Sequence, residues 1–386
     1  MKIAMFTDSY YPAVDGVVTS LSTVSKELER IGHEVFIFAP EPPNGEKVQD
    51  ITKGGTFYFR SFRFKHYPQY RSAFLPSNKN RILRKLGVDL IHTHGMTFMG
   101  MKGLSAGRHF GVPVATTYHT MMHEAADFYN PLPLPRSTMV SLTVRYVRLF
   151  LNRLDAVVVP TRPILEELVR MAPRMPYTAV IPTGVDTNRF RPGNANNPIR
   201  EKYGIEDSPL ILYVGRVAFE KNIDSILRNL HRVSDSSAKF MIVGDGPARK
   251  HVEQLVRSLG LQDRVIFTGF VPDSQLVDYY SASDVFISAS KFETQGLSML
   301  EAMSCGKPVV SINYRAVTDY IVDGENGFLY NEFSDNMAET IDRALSSDAS
   351  ISKNARRTAE RYSKERTSRS LSELYSKILD MYINGQ

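Results

Sequence analysis

Short apolar strands alternate with helical patterns from end to end of this chain, which predicts a parallel α/β protein built from two doubly wound sheets. Two further observations support that class. A chain of 386 residues is too long for one ordinary core, so the alternation should divide between two domains. A run of turn chemistry, Ile181-Pro182-Thr183-Gly184-Val185-Asp186, followed by a polar stretch rich in Gly, Pro and Asn, falls near the middle and marks the division.

Taken in order, strands are expected at 2–7, 34–39, 90–92, 114–118, 156–159 and 179–181 in the first half. In the second half they are expected at 210–214, 239–243, 265–268, 285–287 and 308–311. The domains should then run 1–183 and 184–367, with the helical segment 368–386 packing back on the first. Doubly wound sheets bind ligands beyond the carboxyl ends of their strands, so the cleft between two such domains is the expected active site.

Hydrophobic content of 42% and charged content of 23% are those of a soluble globular protein. No apolar run reaches the ~18–20 residues that span a bilayer. The first residues run directly into a strand pattern without signal-peptide architecture, so a cytoplasmic location is expected. The single cysteine, Cys305, excludes an internal disulfide and any multi-cysteine metal site. Net charge is +6 and unevenly spread. Residues 51–88 contain nine Lys and Arg, many aromatic residues and no Asp or Glu. Such a segment suits nucleic acid or an anionic membrane surface, and it is equally compatible with a solvated basic face.

Chemistry-bearing residues collect at the expected strand ends. After the first strand, Asp15-Gly16 precedes a helix, and a glycine there lets backbone approach a phosphate, or simply makes the turn. The G-x-G-x-x-G dinucleotide fingerprint is absent. His92-Thr93-His94 and Tyr118-His119-Thr120 end two further strands. Without a third well-spaced ligand or a D-x-D motif, these histidines read as hydrogen-bonding groups, not metal ligands. The second domain opens on Val214-Gly215-Arg216, followed by Glu220-Lys221-Asn222. Two cations on one loop can clamp a diphosphate, Arg as a planar fork and Lys as a point charge. Gly244-Asp245-Gly246-Pro247 reads as a tight turn, and Gly269-Phe270-Val271 as a strand end where a flat base could rest.

The most informative segment holds Glu293 and Glu301, separated by seven residues, with a helix expected to start near Gln295–Gly296 and Glu301 almost two turns into it. Free N–H groups of that first turn favour an anion, and the carboxylates accept hydrogen bonds from sugar hydroxyls. In isolation, two glutamates around a helix start are also what a capping box produces.

Together and in this order, these motifs resemble the family 4 glycosyltransferases, retaining enzymes of the two-domain GT-B fold. The resemblance covers essentially the whole chain. Thr117-Tyr118-His119-Thr120-Met121 and the basic, aromatic first domain look similar to the branch that glycosylates diacylglycerol. The resemblance implies a first domain that binds the acceptor and a second that binds a nucleoside-diphosphate sugar. It implies that Arg216 and Lys221 hold the diphosphate, that Glu301 meets the ribose, and that Glu293 faces the transferred sugar. Gly296, Leu297 and Ser298 would offer backbone N–H groups, and Val271 would contact the base through its main chain. Gly16 would let the first domain close over the phosphates, and His119 would touch the sugar hydroxymethyl group. Catalytic roles thus fall to Arg216, Lys221, Glu293 and His119, while Asp15, Tyr11 and His94 stand on the acceptor side.

No cofactor or metal is implied, and nucleic acid is not expected as a partner. Retention usually suggests a carboxylate nucleophile, and the motifs place none in the first domain; the resemblance implies a same-face displacement instead. The expected partners are a nucleotide-sugar donor, UDP-glucose in the first instance, a lipid acceptor and the inner face of the cell membrane. A GDP-mannose donor or a soluble acceptor is the alternative, and a non-catalytic nucleotide- or nucleic-acid-binding module is the alternative from another class. Residues 136–150, after a proline-rich 131–135, place Met139, Leu142, Tyr146 and Leu149 at helical spacing beside Arg145 and Arg148, a face suited to lipid. A core helix with a solvated basic edge is the ordinary reading of the same pattern.

Overall fold

The computed structural model describes the chain except for Val14, 44–49, 65–66, 76–79, 123–134, 194–197, Glu206, Asp335 and 385–386. Contacts divide it into two compact units, Met1–Gly184 with Lys364–Gln386, and Val185–Ser363.

The first unit carries a seven-stranded sheet of order β3-β2-β1-β6-β7-β8-β9, parallel throughout. Its strands are β1 (Lys2–Phe6), β2 (Glu34–Pro40), β3 (Thr56–Phe59), β6 (Leu90–Thr93), β7 (Val114–Thr117), β8 (Ala156–Val159) and β9 (Tyr177–Val180). A separate antiparallel hairpin pairs β4 (Phe62–Phe64) with β5 (Tyr67–Ser72). The helices are α1 (Gly16–Arg30), α2 (Asn80–Leu86), α3 (Phe98–Phe110), α4 (Arg136–Leu151) and α5 (Arg162–Met171). Central strands such as β6, β7 and β8 are buried at every position, as a sheet covered on both faces requires.

The second unit carries a six-stranded parallel sheet of order β12-β11-β10-β13-β14-β15. Its strands are β10 (Leu210–Val214), β11 (Lys239–Val243), β12 (Val265–Gly269), β13 (Val285–Ser288), β14 (Val309–Ile312) and β15 (Phe328–Tyr330). The helices are α6 (Pro198–Tyr203), α7 (Ile223–Leu230), α8 (Arg249–Ser258), α9 (Leu276–Ala282), α10 (Leu297–Ser304), α11 (Met337–Leu345) and α12 (Ala349–Arg361). Strand alternation feeds two cores: Ile211 and Tyr213 of β10 enter one, while Leu210, Leu212 and Val214 enter the other. Each such fully buried side chain contributes roughly 1.5–3 kcal/mol through apolar burial.

The last helix, α13 (Lys364–Asn384), belongs to the first unit. Leu371, Leu374, Tyr375 and Ile378 join Ile3, Met5 and Leu21 in one core. Lys364 and Arg30 both reach Glu27 of α1, at 3.3 and 2.6 Å. The chain therefore leaves the second unit after Ser363, about one helical turn before the expected 367.

In each sheet the strand order reverses beside its first strand, between β1 and β6 and between β10 and β13. Chain segments leaving two such neighbours run to opposite faces and open a crevice at their carboxyl ends, the place where doubly wound sheets take ligands. Asp8–Gly16 and His94 follow the first pair; Arg216, Lys221 and Glu293 follow the second.

Candidate functional site

In the second unit, the chain after β10 forms a single 3-10 turn, Phe219–Lys221, before α7. Lys221 Nζ donates to Glu293 Oε1 at 2.7 Å, both side chains being about four-fifths buried. Arg216 pairs with Glu220 four residues on, and Ser290 Oγ donates to the Glu220 carbonyl at 3.4 Å. Tyr213 OH donates to the Arg216 carbonyl at 2.9 Å, and burial beside Glu293 and Glu220 pushes this phenol well above its usual range. Arg216, Glu220, Lys221 and Glu293 thus surround one tyrosine at the end of β10. Both cations of the expected clamp rest on carboxylates, and an arriving diphosphate would compete with those partners.

After β13 the loop turns through Gly296, whose φ of +84° is left-handed and whose absent Cβ would stand 2.1 Å from Met299 Cε. Tyr320 OH donates to the Gln295 carbonyl at 2.7 Å and fixes the approach to α10. The first intrahelical bonds run from Met299 and Leu300 N to the Gly296 carbonyl. The Leu297 and Ser298 amides precede them and form the positive end of the helix dipole. Glu301 lies little more than one turn into α10, not nearly two, because the helix starts at Leu297. Tyr280 OH of α9 donates to Glu301 Oε2 at 2.6 Å, and burial pushes its carboxyl up to about 7. Val271 is buried at the end of the β12 loop, next to exposed Phe270.

In the first unit the strand ends hold a histidine cluster. His94 Nδ1 and His119 Nε2 are 3.1 Å apart, their rings stacked with centroids 5.3 Å apart. His92 lies 4.4 Å from the His94 ring and is hydrogen-bonded to Tyr375 OH of α13 and, at 2.8 Å, to Thr117 Oγ1. Burial holds His92 at about 3, His119 at about 4 and His94 well below the ordinary range, so all three are neutral near pH 7. His94 Nε2 is buried without a hydrogen-bond partner among the described residues. Gly16 is the first residue of α1. Asp15 caps that helix: Oδ1 accepts from Val17 and Val18 N at 2.9 Å, and Oδ2 from Ser9 Oγ at 2.7 Å. Tyr11 packs edge-on against Tyr10, 5.4 Å away.

The acid-free stretch contains β3, the β4–β5 hairpin and α2, with Lys65 and Lys79 outside the described residues. Phe62 stacks on exposed Phe74 at 5.3 Å, and Phe74 meets exposed Phe98 at 6.1 Å. On α4 the buried residues are Val147, Phe150 and Leu151, so the expected stripe through Leu142 and Leu149 is not the core face. Those two leucines are exposed, 52% and 47%, and Arg145, Arg148 and Leu149 line one surface concavity with Ser141, Val144 and Asn152. The preceding prolines 131 and 133 lie outside the described residues. No helix among the described residues is long and apolar enough to cross a membrane.

Several partners were invisible to motif reading. Glu220 stood in the Glu220-Lys221-Asn222 motif without a role, and its i,i+4 spacing to Arg216 could have supplied one. Tyr280 and Tyr375 gave only the apolar periodicity of their helices, and Asp8, which accepts from Met99 N at 2.8 Å and Thr97 N at 3.1 Å, sits in no motif.

Each sheet carries ligand-type residues at its reversal point, and comparison with known proteins gives the class. The chain belongs to the family 4 glycosyltransferases of the GT-B fold. Residues 14–189 match the Glycosyltransferase Family 4 model and 196–366 the Glycosyl transferases group 1 model. An alpha-monoglucosyldiacylglycerol synthase of Streptococcus pneumoniae is 34% identical over 86% of this chain and 75% of its own length. A protein of the same name from Acholeplasma laidlawii is 28% identical over 98% of both chains. A GDP-mannose-dependent alpha-mannosyltransferase of Mycobacterium tuberculosis is 27% identical over 88% of this chain and 87% of its own. Among solved structures, a sucrose-phosphate synthase of Thermosynechococcus elongatus shares the fold with a TM-score of 0.80 at 23% identity, covering 98% of this chain and 99% of that one.

Proposed function

We propose that this glycosyltransferase moves a hexose from a nucleoside-diphosphate sugar, UDP-glucose in the first instance, to diacylglycerol or a similar membrane lipid, with retention and without a metal. The observation that carries the donor half is the Lys221–Glu293 ion pair, set where β10 and β13 diverge, with Arg216 on the same loop. A diphosphate taking over Lys221 would free Glu293 to accept from sugar hydroxyls, so one exchange of partners readies both halves of the donor. Arg216 and Lys221 would then stabilise the charge that builds on the departing phosphate. Val271 would meet the base, Glu301 the ribose, and the amides of Leu297 and Ser298 the phosphate.

The neutral histidines favour hydrogen bonding over acid catalysis. His119 would bind the hydroxymethyl group, with Gly16 near the phosphates and Tyr11, Asp15 and His94 toward the acceptor. Asp15 would act through the position of α1, since both its oxygens are engaged. No buried carboxylate of the first unit is supplied as a nucleophile by the motifs, so the leaving phosphate itself would take the acceptor proton in a same-face displacement.

Two relatives named for monoglucosyldiacylglycerol support the lipid acceptor, as do the exposed leucines and arginines of α4. Those features support peripheral attachment to an anionic membrane. The mannosyltransferase relatives keep GDP-mannose as the second reading for the donor. Incubation with UDP-glucose or GDP-mannose and diacylglycerol vesicles decides. The expected result is nucleoside diphosphate release matched by α-linked glycolipid, undiminished by a chelator. Release of neither nucleotide, or transfer only to soluble sugars, would overturn the reading.

A further inference from the structure

Glu301 of α10 is held from outside its own helix. Tyr280 of α9 is fully buried, and its hydroxyl donates to Oε2. The ring is wedged between Phe190, edge-on at 5.6 Å, and Phe286 of β13 at 5.9 Å. Phe190 in turn lies beneath the Arg189 guanidinium, 4.6 Å from the ring centroid. Arg189 binds both the carboxylate and the carbonyl of Asp273, two residues after Val271. One continuous contact path therefore joins the loop that would meet the base to the carboxylate that would meet the ribose.

Oε1 of Glu301 has no hydrogen-bond partner among the described residues, whereas Oε2 is occupied. A carboxylate with one oxygen anchored presents the other in a fixed direction. We infer that Tyr280 is a positioning residue for nucleoside recognition, aiming Glu301 at the ribose while Arg189 and Phe190 tie it to the base loop. The inference rests on the donor site proposed above and adds what sets its pH dependence.

The groups that act on Glu301 can be named. Burial, chiefly, and Asp273 raise its carboxyl, the Tyr280 hydroxyl and Arg189 lower it, and the balance leaves it at about 7. Cys305, one turn on, is pushed up to about 12 and stays a neutral thiol. Ribose hydroxyls donate to the ionised carboxylate, so nucleotide affinity should rise with pH through about 7 and level off above it. Without the Tyr280 hydroxyl, one lowering influence is gone and the rise moves to higher pH.

Calorimetric titration of the full-length protein with UDP and with GDP from pH 5.5 to 9, beside the 2′,3′-dideoxy form of each, tests this. Tyr280→Phe is expected to move the midpoint up by about one pH unit, which weakens binding up to about tenfold below it and leaves the high-pH limit nearly unchanged. The dideoxy probes keep the titration of the diphosphate itself but should show no effect of the substitution. Glu301→Gln should flatten the profile. Coincident profiles for Tyr280→Phe and the unaltered protein, or an equal loss for the dideoxy probes, would overturn the positioning role while leaving the donor site standing. Failure of the unaltered protein to bind either diphosphate would instead remove the donor site itself.

Discussion

The two units solve the same architectural problem with opposite electrostatics. At the reversal point of the second sheet, charges meet in pairs, Lys221 with Glu293 and Arg216 with Glu220, and Glu301 keeps a carboxyl that titrates near neutrality. At the reversal point of the first, His94 and His119 are stacked with His92 tilted beside them, and all three are neutral, stripped of charge by burial. Paired charges can be re-partnered by a charged ligand, which suits a diphosphate. Neutral imidazoles offer directional hydrogen bonds without attracting ions, which suits hydroxyl groups.

The difference has a thermodynamic signature. A histidine whose folded value lies below its unfolded 6.5 stabilises the fold above that pH, and the stability is lost as pH falls toward the folded value. From pH 7 to 5, His92 and His119 together should cost the first unit about 4 kcal/mol. Glu301 has the opposite sign: raised from 4.5 to about 7, it penalises the fold above 7, and the penalty is relieved as pH falls. Hydrogen exchange at pH 7 and pH 5 should therefore show the first unit losing protection before the second. Equal loss in both would break the contrast.

Next in size is the clamp. Arg216→Ala and Lys221→Ala should each lower kcat/KM by about a hundredfold or more, the scale of losing a preorganised charge in steady-state assays. Removing Lys221 also leaves Glu293 unpaired. On the first unit, Arg145→Ser with Arg148→Ser should weaken sedimentation with anionic vesicles by about 2 kcal/mol, roughly thirtyfold, and high salt should mimic it. No binding to such vesicles by the unaltered protein would remove the membrane surface. Smallest is Tyr375→Phe, which leaves His92 short of a partner and should lower the stability of the first unit by about 1 kcal/mol in urea titrations.

What the sequence disclosed follows the range of each interaction. Central strands were readable because burial on both faces makes them continuous apolar runs, as in β2, β8 and β10. The missed strands are short or at edges: β3 lies half-exposed within a basic, aromatic stretch, the β4–β5 hairpin interrupts it, and β15 has three residues. The loop residues Arg216, Lys221, Glu293 and Gly296 could be singled out because each sits in a local motif after a strand. The partners of Glu301 and His92 could not, because packing alone brings Tyr280 to Glu301 across 21 residues and Tyr375 to His92 across 283. On α4 the pattern left a lipid-suited face and a core face both open, and only packing separates them: Leu142 and Leu149 are exposed, while Val147 and Phe150 pack inward.

The central claim is that the donor's diphosphate enters where Lys221 now pairs with Glu293. Hydrogen exchange of the whole chain with and without saturating UDP-glucose, or GDP-mannose should that be the donor, reads it directly. Slowed exchange is predicted in 216–222 and at the Leu297 and Ser298 amides. Protection confined to other segments while transfer proceeds would contradict it.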